Sequence, residues 1–369
     1  MKLMKTTEAV GQVLCHDITQ IIPGVKKDAV FRKGHIITKE DIPVLLSVGK
    51  DTIYIWENDE TMMHENEAAE VLYRMSACGT NSNEADAEGH CEAAESGAFG
   101  GTASKMHPSP VKEGKIEVIA DCDGLLKVDS EKLKKVNSFG EMMIATRHGN
   151  TTVKKGDKLA GTRIIPLVIK KDKLEAASHI CDDGPILDIK PFVVRKAAII
   201  TTGNEVFHGR IQDAFTPVIE KKIAEFGAQM MFHEVFDDDD QKITDGCLRA
   251  IEAGAEIVFC TGGMSVDPDD KTPLAIKNTG ARIVSYGSPV LPGAMFLLSY
   301  YDAGERLVPI CGLPGCAMYN KRTIFDIVLP RLMACDMILA DELARLGEGG
   351  LCLNCDVCTF PNCGFGKGF

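Results

Sequence analysis

Residues 256–273 read Glu-Ile-Val-Phe-Cys-Thr-Gly-Gly-Met-Ser-Val-Asp-Pro-Asp-Asp-Lys-Thr-Pro. The apolar run Glu256–Cys260 predicts a strand that is buried on both faces, as the strands of parallel sheets are. The Gly262-Gly263 pair that follows predicts a tight turn in which backbone amides can approach a bound anion. Thr272-Pro273 has the residue types of a helix N-cap and first helical position. Strand, glycine turn and helix together form the repeating unit of a doubly wound α/β sheet.

The same alternation of strands and helices continues on both sides of this stretch. Further apolar runs predict strands, and Thr216-Pro217 repeats the helix-start pattern. The predicted strands are Val193–Ile200, Met230–Val235, Glu256–Cys260 and Leu307–Cys311, and the predicted helices are Thr216–Gly227, Gln241–Ala253, one beginning at Thr272, and Ala317–Met333. Residues 192–335 are therefore predicted to form an α/β domain with a doubly wound, mostly parallel sheet, which binds ligands at the carboxyl ends of its strands.

Three loops with glycine follow three of these strands. Taken singly, each is explained by a tight turn, but three in one domain favour a ligand site, because the carboxyl ends of parallel strands share one edge of the sheet. The candidate ligand-binding residues are Thr202, Gly203, Thr261, Gly262, Gly263, Ser265, Gly312, Leu313, Pro314 and Gly315.

Three carboxylates lie at or beside the same strand ends. They are Glu205, Asp238 and Asp270. Carboxylates that face phosphates typically share a bound Mg²⁺, which neutralises both. The run Asp237–Asp240 is equally typical of a solvated loop, so Asp270, beside the glycine turn, is the strongest of the three candidates.

Two patterns in this domain resemble a known family. Thr261-Gly262-Gly263 with Ser265 and Asp270-Lys271-Thr272-Pro273, together with Gly312-Leu313-Pro314-Gly315, resemble the molybdopterin-binding fold of molybdopterin adenylyltransferases, molybdopterin molybdenumtransferases and gephyrin-type fusions. The resemblance covers less than half of the chain. It implies that Thr261–Ser265 cradle the ligand and that Gly312–Gly315 form the turn beneath the pterin.

The resemblance also implies a function in molybdenum cofactor biosynthesis. The expected ligand is molybdopterin or adenylyl-molybdopterin, handled by a molybdopterin molybdenumtransferase-like enzyme with Mg²⁺. Asp238 and Asp270 are expected to hold the metal, and Glu205 to position phosphate or molybdate, so all three are candidate catalytic residues.

The sequence departs from the molybdenumtransferases at several points. Val290-Leu-Pro-Gly-Ala294 lacks the lysine of their Pro-Gly-Lys-Pro stretch, their Asp-Gly-Tyr-Ala signature is absent, and 34 residues after Cys335 leave no room for their C-terminal β domain. Asp270-Lys-Thr-Pro273 is closer to the adenylyltransferases. Two alternatives therefore stay open: a non-catalytic molybdopterin carrier or sensor, and a nucleotide pyrophosphohydrolase, since competence-damage-type proteins share the fold.

The rest of the chain is predicted to form three further regions. Residues 1–60 carry short β-type runs and one short helix, which indicates a small α+β module. Residues 61–191 are predicted to be β-rich with a helix near His64–Met75. Within them, residues 76–110 have few large apolar side chains, which is typical of a flexible insertion. Residues 336–369 form a cysteine-rich tail.

Four cysteines of the tail lie within twelve residues, at Cys352, Cys355, Cys358 and Cys363. Four thiolates can surround one tetrahedral zinc ion or one iron–sulfur cluster. The compact run favours the cluster slightly, because zinc sites more often have two separated Cys-x-x-Cys pairs.

Composition limits the partners of the chain. The formal net charge of −12 over 369 residues disfavours nucleic acid, whose phosphates an acidic surface repels. The sequence has no secretory pattern and no apolar run of membrane-helix length, so a cytoplasmic protein without a membrane partner is expected. A client molybdoenzyme is a further predicted partner, and the chain is predicted to form a homo-oligomer.

Overall fold

The computed structural model of the chain describes residues 2–22, 26–55, 59–79, 105–265, 267–268 and 270–368. These residues divide into two compact units. Unit 1 comprises residues 1–122, 128–147 and 155–188, and unit 2 comprises residues 123–127, 148–154 and 189–369. No helix among the described residues is long and apolar enough to cross a membrane.

The described residues up to residue 190 form short strands and four α-helices. In order these are β1 (Lys2–Lys5), β2 (Ile18–Ile22), β3 (Lys26–Phe31), α1 (Asp41–Ser47), β4 (Thr52–Ile55), β5 (Met62–His64), α2 (Glu65–Ala77), β6 (Met106–Pro108), β7 (Lys115–Ala120), β8 (Gly124–Val128), α3 (Ser130–Asn137), β9 (Met142–Thr146), β10 (Thr151–Val153), β11 (Lys158–Ile164), β12 (Val168–Lys170), α4 (Lys171–Ser178) and β13 (Leu187–Lys190). They pair as five small sheets: β1-β4, β2-β3, β12-β5, β6-β7-β11-β9 and β10-β8-β13.

Both margins of the predicted insertion, residues 76–110, belong to regular secondary structure. Helix α2 continues to Ala77, and Ser76 is buried and donates its hydroxyl to the Leu72 carbonyl. Met106 begins β6, which pairs with β7, and its side chain is 3% exposed. The prediction was wrong at both margins because isolated apolar residues beside a polar segment can still be buried by tertiary contacts. Residues 80–104, the centre of the predicted insertion, lie outside the described residues.

The α/β domain contains the remaining elements. They are β14 (Lys196–Thr202), α5 (Asn204–Phe207), α6 (Thr216–Ala224), β15 (Gln229–Phe236), α7 (Asp240–Glu252), β16 (Ile257–Thr261), α8 (Thr272–Asn278), β17 (Arg282–Tyr286), β18 (Leu297–Asp302), β19 (Leu307–Leu313), α9 (Ile324–Met333) and α10 (Ala340–Arg345).

Six strands form one mixed sheet in the order β15-β14-β16-β19-β18-β17. The first four are parallel, and β18 and β17 extend the sheet antiparallel to their neighbours. Alternate residues of the central strands face opposite ways: Ile199 and Phe259 pack with α6 and α9, whereas Ile200 and Val258 pack with α7 and α8. The mixed α/β class and the mostly parallel sheet predicted from the sequence are confirmed.

Two helix starts differ from the sequence prediction. Thr216 lies inside α6, and Asp213 performs the capping: its Oδ1 accepts the N–H groups of Phe215 at 2.8 Å and Thr216 at 3.1 Å. Thr272 is likewise the first residue of α8, and its hydroxyl donates to the Gly262 carbonyl instead of capping the helix. Both predictions were wrong because the threonine hydroxyls bond elsewhere, Thr216 to Asp213 Oδ2 and Thr272 to the Gly262 carbonyl.

The predicted helix Ala317–Met333 is also shorter. Gly315–Met318 form a single 3-10 turn, and α9 begins only at Ile324. Thr323 and Asp326 form a reciprocal capping box there, which fixes the start of the helix.

Candidate functional site

The four parallel strands end together at one edge of the sheet. Thr202 of β14 pairs with Phe236 of β15, and Thr261 of β16 pairs with Leu313 of β19. The three predicted glycine loops therefore begin side by side, as the sequence predicted. Ser265 and Gly315 are exposed at this edge, whereas Thr261, Leu313 and Pro314 are buried beneath it.

Two buried threonines bind the loops to one another. Thr202 Oγ1 lies 3.1 Å from the Thr261 carbonyl oxygen, to which it donates, and 3.0 Å from Thr272 Oγ1. Thr272 in turn donates its hydroxyl to the Gly262 carbonyl at 2.9 Å and its N–H to the Gly263 carbonyl at 3.2 Å. These bonds fix the Gly262-Gly263 turn between β14 and α8, so the loop backbone is held in place before any ligand arrives.

Gly262 is required by this packing. Its φ of +82° lies in the left-handed region, and an added Cβ would stand 2.1 Å from the Thr202 carbonyl oxygen. Gly312 makes a second close approach, since a Cβ there would stand 2.5 Å from the sulfur of Met264. The glycines at these positions therefore allow the loops to pack directly on each other.

We expect Gly262→Ala to destabilise the protein by about 3 kcal/mol or more, because the clash with backbone adds to the left-handed strain. Gly280→Ala is the matched control. Gly280 has nearly the same φ, +85°, but nothing lies within 4 Å of its Cβ position, so that variant should lose only about 1 kcal/mol. Equal midpoints for the two variants in chemical denaturation would contradict the packing argument.

Asp238 and Glu205 lie on neighbouring loops. Asp238 follows β15, and its Oδ2 accepts the N–H of Asn204 at 3.2 Å, so the loop after β14 is joined to the loop after β15. Glu205 is exposed in the short helix α5, and its Oε2 is 3.5 Å from the position a Cβ on Gly203 would take. The structure thus brings these two predicted acidic residues to the same side of β14.

Asp270 lies on the other side of β14, in the loop after β16. Its N–H donates to the Asp267 carbonyl at 3.0 Å, and its side chain is half-buried. Tyr286, which the sequence analysis did not select, ends β17 and donates its hydroxyl to the Met264 carbonyl at 3.1 Å. Burial, and then the charge of Asp270, raise the pKa of Tyr286, which places this carboxylate in the neighbourhood of a neutral phenol.

Asp213 was also missed by the sequence analysis. Its Oδ2 accepts the hydroxyls of Thr216 at 2.6 Å and Thr201 at 2.9 Å, and His233 Nε2 lies 3.5 Å away. Burial opposes ionisation of Asp213, but hydrogen bonds from Thr216 and Thr201 outweigh it and lower its pKa. The carboxylate ties the end of the loop after β14 to the strand itself. Asp213, three residues before Thr216-Pro217, was a readable capping signal.

The four tail cysteines line a single cavity of about 820 Å³ that is open to solvent. Cys352 and Cys363 pack against the domain core, whereas Cys355 and Cys358 are exposed. Within the described part of the chain, no three His, Cys, Asp or Glu side chains are gathered as ligands of one metal ion. The structure therefore places the four thiols around one space but does not show a formed metal centre.

Hydrogen bonds fix this tail on the α/β domain. Leu291 donates its N–H to the Gly350 carbonyl and accepts that of Cys352, both at 2.8 Å. The guanidinium of Arg322 lies 5.0 Å from the centre of the Phe360 ring. A hydrogen bond from the Phe360 N–H, and then the charge of Arg322, lower the pKa of Cys358, so that this exposed thiol ionises more readily than usual.

Two family models match parts of the chain. Residues 198–334 match a family described as "Probable molybdopterin binding domain". The resemblance is confirmed for this α/β domain. Residues 3–57 match a family described only as a domain of unknown function. The molybdopterin-binding match lies within the α/β domain and covers less than half of the chain.

Curated relatives match a part of the chain. A Geobacillus protein named "Putative competence-damage inducible protein" is 33% identical over 88 residues, which are 24% of this chain and 20% of that protein. A Staphylococcus epidermidis molybdopterin molybdenumtransferase is 28% identical over 146 residues, covering 36% of this chain and 34% of the relative. A Pyrococcus furiosus molybdopterin adenylyltransferase is 26% identical over 131 residues, which are 32% of this chain and 77% of the relative. This chain thus spans only a minor part of the first two relatives.

Two solved structures show similarity to a part of the chain. The tungsten cofactor synthesizing protein MoaB from Pyrococcus furiosus has a TM-score of 0.30 and 18% identity, and covers 38% of this chain and 88% of its own. The molybdopterin biosynthesis Mog protein from Mycobacterium ulcerans has a TM-score of 0.30 and 17% identity. The match covers 41% of this chain and 99% of the Mog chain.

Proposed function

We propose that the α/β domain binds molybdopterin or adenylyl-molybdopterin at the carboxyl edge of its sheet. The observation that carries this proposal is the Gly262-Gly263 turn, which Thr202 and Thr272 hold in place beside the loops after β14 and β19. Backbone amides of such turns suit the phosphate of the ligand.

We further propose that the protein is a molybdopterin molybdenumtransferase-like enzyme. Mg²⁺ supplies charge neutralisation between carboxylates and ligand phosphates when it is bound. In this proposal Asp238 and Asp270, on the loops on either side of β14, would hold the cation, since Mg²⁺ takes one or two carboxylates and completes its shell with phosphates and water. Glu205, exposed beside Asp238, would position phosphate or molybdate. Catalysis would then rest on positioning and charge neutralisation.

The test is a titration of the purified full chain with molybdopterin, followed by fluorescence, with and without Mg²⁺. We expect saturable binding of one ligand per chain that Gly312→Val weakens, since a valine side chain would be forced against Met264. Ala303→Val, in a surface turn after β18, is the control. Absence of binding by the folded wild-type protein would contradict the proposed function.

The two alternatives make different predictions. A carrier or sensor binds molybdopterin equally well but shows no Mg²⁺-dependent turnover. A nucleotide pyrophosphohydrolase hydrolyses ADP-ribose and does not bind the pterin. If the protein is a carrier, a client molybdoenzyme is its proposed protein partner. A homo-oligomer is the proposed state for the transferase, the carrier and the pyrophosphohydrolase alike.

We also propose that the tail binds an iron–sulfur cluster or zinc through Cys352, Cys355, Cys358 and Cys363. Its support is the compact spacing of the four thiols and the single cavity they line. Protein purified without oxygen or chelator should contain one cluster or one zinc ion per chain, which metal analysis and visible absorption distinguish. The double variant Cys355→Ser/Cys358→Ser should lose it and Cys335→Ser should keep it. Equal metal content in the two variants would contradict the assignment.

A further inference from the structure

Unit 1 contains a cavity that the proposed function does not use. It encloses about 1550 Å³ including its open mouth. Its ionisable lining side chains are five basic ones, Arg32, Lys33, Lys50, Lys112 and Arg163, three acidic ones, Asp17, Glu65 and Glu113, and the imidazoles of His16 and His64. Basic side chains therefore exceed acidic ones here, although the chain as a whole carries a net charge of −12.

Most of the basic side chains of this cavity form no direct ion pair. Within the described ranges, the four without a carboxylate in ion-pair contact are Arg32, Lys50, Lys112 and Arg163. Of the three lining carboxylates, Asp17 accepts the backbone N–H of Lys33 at 2.7 Å, and burial raises the pKa of Glu65 while the charge of Arg163 opposes that rise. Five basic side chains against three acidic ones leave an excess of positive charge on a concave surface, which attracts anions.

The floor of the cavity is fixed. The ring of His64 is 4% exposed, its Nε2 lies 3.1 Å from the Cys15 carbonyl oxygen, and its Nδ1 accepts the N–H of Asn66 at 3.2 Å. These bonds join the segment before β2 to the start of α2. A ligand would therefore meet a surface that is already ordered.

Two aromatic rings lie beside the charges. His16 has a buried Nδ1 without a hydrogen-bond partner. Burial, and then the charge of Lys50, lower the pKa of His16, so the ring is neutral at pH 7. The ring of Tyr54 is edge-on to His16, with 6.5 Å between ring centres, and the residue is 46% exposed. An exposed aromatic face next to basic groups suits a flat ring that carries phosphate.

We propose that this cavity is a nucleotide-binding site, in which Lys50 and Arg163 contact the phosphate and Tyr54 stacks on the base. The free space exceeds what an inorganic anion fills. The proposal concerns unit 1 alone and does not depend on the molybdopterin site.

The experiment is calorimetric titration of the full chain with two probes, AMP and inorganic pyrophosphate, at low and moderate salt. We expect one AMP site per chain in this cavity, and about tenfold weaker AMP binding for each of Lys50→Gln and Arg163→Gln, as the loss of a charge-assisted hydrogen bond predicts. Tyr54→Ala should weaken AMP binding about tenfold and leave pyrophosphate binding unchanged. Lys39→Gln removes an exposed charge of the same module outside the cavity and should behave as wild type.

Three results would overturn the proposal. They are no AMP binding by wild type, an equal loss in Lys39→Gln and Lys50→Gln, and insensitivity of AMP binding to Tyr54→Ala. The variants replace side chains without described ion pairs, and a melting curve of each confirms that the fold persists. Nucleotide bound at the α/β domain instead would be insensitive to Lys50→Gln and Arg163→Gln, which also counts against the proposal.

Discussion

Asp270→Asn should lower Mg²⁺-dependent turnover by on the order of a hundredfold or more while fold and pterin binding persist. Asparagine keeps the shape of the side chain but removes the charge that would hold the cation. The measurement pairs molybdopterin affinity with nucleotidyl or molybdate transfer, in wild type and variant. If Asp270 only interacts with nearby backbone, the variant should instead lose about 1 kcal/mol of stability and keep its turnover.

Asp267→Asn is the matched control for this prediction. Asp267 lies in the same loop and is exposed, and its carbonyl oxygen accepts the N–H of Asp270. Turnover of Asp267→Asn should stay near that of wild type. Equal turnover in Asp270→Asn and wild type would defeat the catalytic assignment, whereas no turnover in either, with tight binding in both, would favour the carrier.

Asp270→Asn has a second readout that needs no substrate. The charge of Asp270 contributes to the raised pKa of Tyr286. Removing that charge should let Tyr286 ionise at lower pH than in wild type, which an ultraviolet titration of the phenol detects. An unchanged titration would show that the two side chains do not interact in solution.

Asp336→Asn should destabilise the protein by about 3 kcal/mol or more, because it leaves three cations without their common partner. The Asp336 side chain is 7% exposed, and its carboxylate contacts Lys190 and Arg331 at 2.6 Å and Lys127 at 2.8 Å. Asp341→Asn is the control, since Asp341 is 63% exposed and lies 3.6 Å from Arg345. That variant should change stability by less than about 1 kcal/mol.

The same cluster predicts a pH dependence. Burial opposes ionisation of Asp336, but hydrogen bonds from Lys127 and Lys190, and the charge of Arg331, lower its pKa from 3.8 to about 2. A lowered folded-state pKa contributes stability that is present above the unfolded-state value. That contribution, roughly 2 kcal/mol, is lost as pH falls from about 4 to about 2. Wild-type stability should therefore fall more steeply than that of Asp336→Asn over this range.

The domain-level fold could be predicted from residues whose environment is local in sequence. An apolar run such as Ile257–Cys260 indicates a strand buried on both faces of the sheet, even when its neighbouring strands are unknown. The glycine turns mark where the strands end. The antiparallel strands β18 and β17 were not predicted, because a short apolar run does not indicate whether the strand runs parallel or antiparallel to its neighbours.

The site was predicted in part for a similar reason. Gly262 and Asp270 stand beside a recognisable turn and could be selected from sequence. Tyr286 reaches the same turn from the far edge of the sheet, which only the pairing of β17 with β18 reveals. Thr202 and Thr272 show the converse: one was taken as a ligand residue and the other as a helix cap, yet their hydroxyls bond to each other.

The Asp336 cluster also bears on the order of folding events. Its ion pair with Lys127 joins residues 209 positions apart, and such distant contacts are costly to close early in folding. The cluster should thus be absent from the transition state, so that Asp336→Asn speeds unfolding and leaves the refolding rate nearly unchanged. Asp336→Asn should then also shorten the half-life of slow thermal inactivation, because the unfolding rate governs inactivation.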